Sequence, residues 1–405
     1  MKKLAIIGCA GIPSNYGGFE TLAENLVDQL SDKYEITVFC SSKNYKREDR
    51  LKHYKNARLK YIRLNANGVQ SILYDYISIL RALFFADTLL ILGVSGCSIL
   101  PLVRLFTRKK IIVNIDGLEW HRDKWSKFAR AFLRFSERMA IKYSDADVAD
   151  NEAIKRYTEL YYNASSKVIE YGGDHAKKCA KSRELMATYP IIQQAYCFKV
   201  ARIEPENNIE MILRTFSKSE HRLVLVGNWA NSEYGRSLKL KFACYTNLLL
   251  LDPIYDKNDL GSIRSNASIY IHGHEAGGTN PSLVEAMFLG LPVFAFEIAF
   301  NRETTENKAS YFSSEKQLSE LLKTITAKGL AKNGAAMQKI ADRRYRWSII
   351  ADKYDMLFQT VACGIKQQQP KVKFSYESRM KIKTLGFYQL IDQQCYFDLI
   401  QESYD

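Results

Sequence analysis

Short apolar runs alternate with helical stretches along this chain, and the alternation restarts after about residue 190. Strands of a parallel sheet are buried on both faces, so they appear as continuous apolar runs rather than as alternating patterns. Such runs separated by helices predict a doubly wound parallel α/β sheet. The restart predicts two of these units, because 405 residues exceed the roughly 250–300 that one core accommodates.

The pattern predicts the order of the elements in each half. In the first half, strands are predicted at 4–9, 35–40, 58–64, 88–93 and 110–115, and helices at 18–31, 69–86, 97–107 and 124–143. In the second half, strands are predicted at 196–201, 222–227, 247–252, 267–273 and 292–296, and helices at 207–218, 232–243, 256–265, 282–290 and 342–361. We place the domains at 1–187 and 188–362, with a linker within 172–192 and an extension of unknown role at 363–405.

The charge predicts an anionic partner. The chain has 58 basic and 44 acidic residues, a net charge of +14, and residues 1–190 hold 31 of the basic and 21 of the acidic ones. Nucleic acid, a membrane surface or a phosphorylated substrate would each match this excess. The longest uncharged run, between Asp87 and Arg104, is too short and too rich in glycine and proline for a spanning helix. The eight scattered cysteines form no CxxC pair, which predicts free thiols and a cytoplasmic protein.

The first motif is a glycine-rich segment between a predicted strand and a predicted helix, GIPSNYGGFE at 11–20. Gly17 and Gly18 allow close approach to the backbone, and the helix N-terminus offers N–H groups to an anion. The segment is neither a Walker loop nor GxGxxG, so it does not indicate a dinucleotide. The alternative is a tight strand–helix turn without a ligand.

Two further motifs follow strands of the second half. Arg202 begins RIEPENN, and its guanidinium suits a diphosphate, unless it merely pairs with Glu204 or Glu206. The segment 272–287, HGHEAGGTNPSLVEAM, again runs from a strand through glycines into a helix. Its loop residues can face a phosphate or a sugar, and Glu285 can accept hydrogen bonds from ribose hydroxyls; the alternative for Glu285 is a carboxylate on the helix surface. The donor-binding candidates in these motifs are Arg202, Asn207, Gly277, Gly278, Thr279, Asn280 and Glu285.

The fourth motif, NIDGLEWHRDKW at 114–125, follows the predicted strand 110–115. Asp116 or Glu119 could bind an acceptor hydroxyl or act as a base, whereas the alternative for Asp116 is to cap the next helix. Together with Tyr16 and Trp120, these residues are the candidates for binding an acceptor. These motifs contain no CxxC and no DxD pair, and a joint metal site of His272 and His274 is disfavoured, so no metal is predicted.

The predicted helix 124–143 carries two stripes. Lys127, Arg130, Arg134, Arg138 and Lys142 form a cationic stripe, and Phe128, Phe132, Phe135 and Met139 form an apolar one. One interpretation is a core-facing aromatic stripe beside a solvated charged face. The other is a surface that binds anionic lipid or the pyrophosphate of an acceptor, with help from 97–110. Nucleic acid is disfavoured because no basic cluster is interleaved with stacking aromatics.

These four motifs, together with FNRETTENKASYF at 300–312, resemble the retaining GT-B glycosyltransferases of family 4. The closest resemblance is to bacterial rhamnosyltransferases that act on lipid-linked intermediates, and it covers about residues 1–360. It implies two Rossmann-like domains facing across a cleft, an N-terminal one that binds the acceptor and a C-terminal one that binds the nucleotide sugar. It also implies a peripheral enzyme on the inner face of the cell membrane.

The resemblance implies a role for each matching residue. Gly17 and Gly18 would face the diphosphate and the transferred sugar, Arg202 would hold the diphosphate, and Glu285 would bind the ribose. The wider family has a lysine where this chain has Asn207, and a glutamate where it has Gly277. Both departures favour dTDP-L-rhamnose over the common UDP- or GDP-hexoses as donor.

The family chemistry needs neither a metal nor an enzymic nucleophile, because the leaving phosphate accepts the proton of the attacking acceptor. Asp116, Glu119 and Arg202 are the catalytic candidates. The expected acceptor is an undecaprenyl-diphosphate-linked sugar, and the product would feed a capsule, O-antigen or other cell-surface polysaccharide. The alternatives are a UDP- or GDP-hexose transferase and a non-catalytic nucleotide-sugar-binding protein. An oxidoreductase with two dinucleotide folds is disfavoured by the lack of GxGxxG.

Overall fold

The computed structural model describes residues 1–14, 17–115, 117, 119–121, 125–365 and 374–401. The chain divides into two units, each with its own sheet. Unit 1 comprises Met1–Tyr171 and the described residues from Trp347 onward, and unit 2 comprises Gly172–Arg346.

The sheet of unit 1 has eight strands within the described residues, in the order β3-β4-β2-β1-β5-β6-β7-β8. The strands are β1 (Lys2–Ile7), β2 (Tyr34–Ser41), β3 (His53–Tyr54), β4 (Ala57–Ile62), β5 (Thr88–Leu92), β6 (Lys110–Asn114), β7 (Ala146–Ala149) and β8 (Lys167–Val168). Their described pairings are parallel except that of β3 with β4. β5 is buried along its whole length, as the apolar run TLLIL predicts.

Helices cover this sheet. They are α1 (Gly18–Leu30), α2 (Gln70–Ala82), α3 (Leu100–Phe106), α4 (Lys127–Tyr143) and α5 (Glu152–Tyr162). α1 buries Leu22, Leu26 and Leu30, whose four-residue spacing places them on one face. Ser126 caps α4 by accepting a hydrogen bond from the amide of Ala129.

The sheet of unit 2 has six strands among the described residues, in the order β11-β10-β9-β12-β13-β14, and their described pairings are parallel. The strands are β9 (Cys197–Val200), β10 (Leu223–Val226), β11 (Leu248–Leu251), β12 (Ile269–His272), β13 (Val293–Phe296) and β14 (Ser310–Phe312). The helices are α6 (Arg183–Thr188), α7 (Ile209–Ser217), α8 (Glu233–Phe242), α9 (Lys257–Ser265), α10 (Pro281–Phe288), α11 (Ala299–Thr304), α12 (Glu315–Lys323) and α13 (Ala327–Arg344). The predicted doubly wound parallel architecture is confirmed in both units.

The next helix, α14 (Trp347–Ala362), belongs to unit 1, although the predicted boundary at 362 assigned it to the second domain. It buries Trp347 and Tyr354 in the core beneath β1, β2 and α1. The hydroxyl of Tyr354 accepts a hydrogen bond from the side-chain amide of Asn114 at 3.0 Å. The sequence shows that this helix has an apolar stripe, but the stripe itself does not say which of two cores it fills.

The described part of the extension, from residue 374 to 401, forms three short helices that pack on α5 of unit 1. They are α15 (Tyr376–Thr384), α16 (Phe387–Ile391) and α17 (Gln393–Gln401). The guanidinium of Arg156 donates two hydrogen bonds to the carbonyl of Ile391, at 3.1 and 2.9 Å. The hydroxyl of Tyr396 donates to Glu159 at 2.8 Å. Residues 374–401 therefore complete the surface of unit 1.

Candidate functional site

In unit 1, the loop after β1 leads into α1 at Gly17 and Gly18. Gly17 is the N-cap residue of α1 and has a φ of 124°, which a residue with a side chain rarely adopts. The Glu20 carboxylate bends back beside Gly17 and accepts a hydrogen bond from the amide of Ala10 at 2.6 Å. A Cβ at Gly17 would collide with that carboxylate. The geometry therefore requires glycine here, and burial raises the pKa of Glu20. Tyr16, an acceptor-binding candidate, lies outside the described residues.

The fourth motif continues from β6 into a short 3-10 helix, Glu119–His121. Asp116, the proposed acceptor-positioning residue, lies outside the described residues. Glu119 accepts a hydrogen bond from the indole N–H of Trp125 at 3.1 Å. This contact gives Glu119 a structural use in addition to the catalytic one predicted for it.

Trp120 is packed more tightly than an exposed acceptor-binding residue would be. Its indole N–H donates to Glu137 at 3.1 Å, and the guanidinium carbon of Arg134 lies 4.6 Å from its ring centroid. Its ring also contacts Tyr157 and, from the extension, Phe387. The extension therefore borders the motif that the sequence assigned to an acceptor, a contact that no sequence signal indicated.

Glu137 is the centre of this packing. In addition to the indole of Trp120, the hydroxyls of Tyr157 and Tyr162 donate hydrogen bonds to the carboxylate of Glu137, at 3.0 and 2.6 Å. Burial raises the pKa of Glu137 to about 7, although the three donors favour the ionised form. A buried carboxylate held by three aromatic donors fixes the position of Trp120.

In unit 2, Arg202 follows the end of β9. Its side chain is partly exposed, and its Nε lies 3.6 Å from Glu204, the pairing that the sequence allowed as an alternative. Asn207 is buried, and its side-chain amide donates to the carbonyl of Arg202 at 2.8 Å. We call residues 202–208 the Arg202 loop. Asn207 braces this loop and, being uncharged, adds no cation to it.

The second loop of unit 2 is 272–280, the Gly277 loop, between β12 and α10. Gly277 has a φ of 116°, and no atom within 4 Å would meet a Cβ there. Gly278 and Thr279 are buried. The Asn280 side chain caps α10 by accepting from the amide of Ser282 at 3.3 Å and from its hydroxyl at 2.9 Å. Asn280, predicted to face a ligand, therefore has a structural role as the helix cap.

The two loops are joined by hydrogen bonds. The side-chain amide of Asn208 donates to the carbonyl of Gly273 at 3.0 Å and to Glu275 at 2.6 Å. The amide of Glu275 donates to the carbonyl of Glu206 at 2.8 Å. Because β9 and β12 are adjacent and parallel, both loops lie at the carboxyl edge of one sheet, which is where doubly wound sheets bind ligands.

Glu285, on α10, is held by an arginine and a histidine. Arg264 of α9 forms a short ion pair with it, and Nε2 of His175 lies 2.8 Å from its other oxygen. Burial would raise the pKa of Glu285, but Arg264 and His175 outweigh burial and lower it to about 2. Glu285 is therefore ionised and oriented rather than free on the helix surface. Its partners come from the predicted linker and from another helix, and no sequence motif marked either of them.

The predicted membrane stripe lies at the surface of unit 1. Lys127, Arg134 and Arg138 are exposed and Arg130 is partly so. Phe128 and Phe135 are 91% and 51% exposed, so the aromatic stripe does not face the core. α4 instead buries Leu133, Ser136, Glu137 and Ala140. The neighbouring α3 exposes further apolar side chains, namely Leu102, Leu105 and Phe106.

The described residues contain neither a metal-binding cluster nor a helix that could span a membrane. Among these residues, no group of three or more histidines, cysteines or carboxylates has the arrangement of a metal site. In the same part of the chain, no helix is both long enough and apolar enough to cross a bilayer.

Each half of the chain matches a family model. Residues 184–341 match the model described as glycosyl transferases group 1. Residues 1–174 match a model described as a domain of unknown function, DUF1972. No curated protein matches the chain.

Solved structures are similar over almost the whole chain. Sucrose-phosphate synthase from Thermosynechococcus elongatus has a TM-score of 0.74 at 14% identity, covering 90% of this chain and 100% of that one. Anabaena Alr3699/HepE in complex with UDP has a TM-score of 0.67 at 13% identity, covering 89% and 100%. The E. coli trehalose-6-phosphate protein bound with UDP-2-fluoro glucose has 0.66 at 10%, covering 88% and 99%.

At these identities the structural likeness shows the fold, which is GT-B: two Rossmann-like α/β domains with parallel sheets. The predicted fold class is thereby confirmed. The glycosyl transferases group 1 match and this fold together support a GT-B glycosyltransferase.

Proposed function

We propose that this protein is a retaining glycosyltransferase that moves L-rhamnose from dTDP-L-rhamnose to an undecaprenyl-diphosphate-linked sugar. The product would serve the synthesis of a capsule, O-antigen or other cell-surface polysaccharide. The observation that carries the proposal is the junction of the Arg202 and Gly277 loops at the carboxyl edge of the second sheet. This junction lies within the segment that matches glycosyl transferases group 1. Similar structures in complex with UDP, UDP-glucose and UDP-2-fluoro glucose support a nucleotide-sugar donor.

In this proposal the residues of unit 2 hold the donor. Negative charge develops on the leaving phosphate, and the guanidinium of Arg202 with the amides of Gly278 and Thr279 would stabilise it. Glu285, already ionised and oriented by Arg264, would accept hydrogen bonds from the ribose hydroxyls. Because arginine and backbone amides supply this stabilisation, we propose a metal-independent reaction.

Residues of unit 1 would serve the acceptor side of the reaction and the transferred sugar. We assign Gly17 and Gly18, at the start of α1, to the transferred sugar. We assign Asp116 to positioning the acceptor hydroxyl, and Tyr16, Glu119 and Trp120 to binding the acceptor. Asp116→Asn would then lower turnover and leave nucleotide affinity unchanged, because the substitution removes a hydrogen-bond acceptor but no contact to the donor.

The acceptor would be presented by an anionic membrane. The exposed Phe128 and Phe135 beside the cations of α4 have the composition of an interfacial surface. Near the carboxyl ends of α3 and α4 lies a cavity of about 680 Å³, whose lining includes the cations of Arg108, Lys110 and Lys142 and the carboxylates of Asp145 and Asp147. We therefore propose a cytoplasmic protein bound to the inner face of the cell membrane, with no nucleic acid partner.

The proposal is tested by thermal unfolding and transfer assays with dTDP-rhamnose, UDP-glucose and GDP-mannose. A ligand present at one hundred times its Kd stabilises the folded protein by about 2.7 kcal/mol. We expect dTDP-rhamnose to stabilise the wild type and to be consumed when a lipid-linked acceptor is added. Arg202→Gln should abolish the stabilisation, whereas Arg236→Gln, which removes an exposed arginine also paired with a glutamate, should not.

The other outcomes decide between the alternatives. Stabilisation by a UDP- or GDP-hexose instead would replace the proposed donor. Stabilisation without transfer or donor hydrolysis would indicate a non-catalytic binding protein. No stabilisation by any of the three sugars would contradict the proposed function.

A further inference from the structure

A lysine lies buried in the sheet of unit 2 where the Arg202 and Gly277 loops begin. Lys199 is the third residue of β9, between the apolar Phe198 and Val200, and its side chain is 0% exposed. Its ammonium nitrogen has no hydrogen-bond partner among the described residues. A buried amine without a partner costs several kcal/mol of desolvation when it carries a charge. A buried lysine without a partner is therefore a candidate for a functional role.

The nitrogen of Lys199 lies directly beneath the junction of the two loops. A Cβ built on Gly273 would come within 3.2 Å of Nζ of Lys199 and 2.6 Å of the carbonyl oxygen of Asn207. Gly273 belongs to the Gly277 loop and Asn207 to the Arg202 loop, and Asn208 joins the loops at Gly273. The absence of a side chain at Gly273 thus leaves this nitrogen next to the backbone of the Gly277 loop, at the point where Asn207 of the Arg202 loop approaches Gly273.

The two loops carry little positive charge. Across 202–208 and 272–280, Arg202 is the one lysine or arginine, against the carboxylates of Glu204, Glu206 and Glu275. Asn207 is neutral and bonded to the carbonyl of Arg202. A nucleoside diphosphate carries two or more negative charges, which one arginine already close to Glu204 does not balance. A second cation within reach of the junction would correct this deficit.

We propose that Lys199 is this second cation: its amine takes up a proton from solvent when a nucleoside diphosphate binds at the loop junction. The lysine balances the diphosphate charge from beneath Gly273, as a positioning residue that forms no covalent bond. This inference rests on the proposed function and specifies how the donor site handles charge.

The environment of Lys199 makes such a proton exchange accessible near neutral pH. Burial lowers the pKa of Lys199 to about 7, so its amine is mostly uncharged at pH 8. An added anion would raise that pKa and draw in a proton. Burial and then Lys199 lower the pKa of His272, the neighbouring ring on β12, well below its usual value, so His272 stays neutral.

Several other ionisable groups lie near the loop junction. These are His274, stacked on His272, together with Arg202, Glu204, Glu206 and Glu275. Histidine titrates near pH 6.5 and carboxylates near 4, so neither type exchanges protons at pH 8 without a large shift. A terminal phosphate with a pKa of about 6 is also ionised at this pH. Proton uptake at pH 8 that disappears when Lys199 is replaced therefore reports on the Lys199 amine.

The test is titration calorimetry of dTDP, UDP and GDP into the full chain at pH 8, in two buffers that differ in ionisation enthalpy. The difference in apparent binding enthalpy gives the number of protons taken up. We expect the wild type to take up close to one proton, and less at pH 6, where Lys199 is already charged. Lys199→Met should take up none and bind at least about ten-fold more weakly. Lys241→Met, which removes an exposed lysine of α8, should behave as the wild type.

We expect Lys199→Met to fold, because methionine replaces an unpaired buried amine with an apolar chain of similar length. We expect Lys199→Met to melt at or above the wild-type temperature. Wild-type binding without proton uptake at pH 8, or equal uptake and affinity in Lys199→Met, would overturn the inference and leave the proposed function standing. Absence of wild-type binding to all three nucleotides would overturn both.

Discussion

At the scale of single residues, the predicted site residues fall into two groups. Arg202, Gly277 and Glu285 lie near the carboxyl edge of the second sheet, where strand–loop–helix motifs predicted a ligand site. Asn280 and Asn207 instead brace the backbone by capping α10 and holding the Arg202 loop. The sequence identifies which residue types stand in a loop. It does not say whether an amide side chain points outward to a ligand or inward to the chain.

Lys199, Arg264 and His175 were missed for a different reason. A charged residue inside the apolar strand YCFKVA was the one available signal for Lys199. Arg264 and His175 lie 21 and 110 residues from Glu285 along the chain, so only the tertiary fold reveals that they contact it.

The pairing of Glu285 leads to a prediction about stability. Glu285→Gln leaves the mostly buried Arg264 without its counter-ion, so we expect it to lower the free energy of unfolding at pH 7 by about 3 kcal/mol. In the matched control, Glu297→Gln, both partners of the broken ion pair are more than a third exposed, so the loss should stay below about 1 kcal/mol. Urea denaturation of both variants measures the difference, and equal losses would contradict the prediction.

The carboxylate of Glu285 also predicts how the stability of the folded protein depends on pH. Its pKa is lower in the folded protein, about 2, than the roughly 4.3 of an unfolded glutamate. The contribution of the ionised Glu285 to the free energy of unfolding is therefore complete above about pH 4.5. It is lost as the pH falls towards 2, because the unfolded chain takes up the proton first. The wild type and Glu285→Gln should accordingly converge in stability as the pH is lowered through that window.

At the scale of elements, apolar periodicity predicted the central strands and the amphipathic helices well. β1, β5 and β6 overlap their predicted ranges because a buried strand needs a continuous apolar run. The periodicity did not decide where an element packs. Phe128 and Phe135 of α4 share a stripe, yet the helix buries Leu133 and Ala140 instead. A helix with several apolar positions offers more than one face, and neighbouring elements determine which face is covered.

The extension provides a prediction at this scale. Leu390 is 2% exposed where α16 packs on α5, so Leu390→Ala should lower the free energy of unfolding by about 2–3 kcal/mol through the cavity it leaves. Phe397→Ala, in the same extension but at a 53% exposed position, should cost less than about 1 kcal/mol. If thermal or chemical denaturation found both substitutions equally mild, the extension would not pack on unit 1 as described.

At the scale of the whole molecule, the positively charged residues fall into two groups with different proposed partners. The first group, Arg202 and Lys199, belongs to the proposed donor site in unit 2. The larger excess among residues 1–190 includes the exposed cations of α4. Composition predicted an anionic partner without naming it. The exposed apolar residues of α3 and α4 favour a membrane over a second soluble phosphate, since a soluble ligand would not require them.

Membrane binding can be measured on the intact protein. We expect it to co-sediment with vesicles containing phosphatidylglycerol at ~0.1 M salt and to release as salt screens the cations. Phe128→Ser with Phe135→Ser should weaken binding about ten-fold, because less apolar surface enters the interface. A control pair, Leu240→Ser with Met356→Ser, removes exposed apolar residues from α8 and α14 and should have no effect. Absence of wild-type binding would contradict the membrane assignment.

The placement of α14 in unit 1 sets an order for events during synthesis. Unit 2 is one continuous stretch of chain, whereas unit 1 needs both its first 171 residues and the segment that starts at Trp347. Chains emerge from the ribosome amino end first, and domains fold as units. Unit 2 can therefore finish folding while unit 1 still lacks Trp347 and Tyr354 from its core. The half made first is the half completed last, and its core stays open until almost the entire chain has been translated.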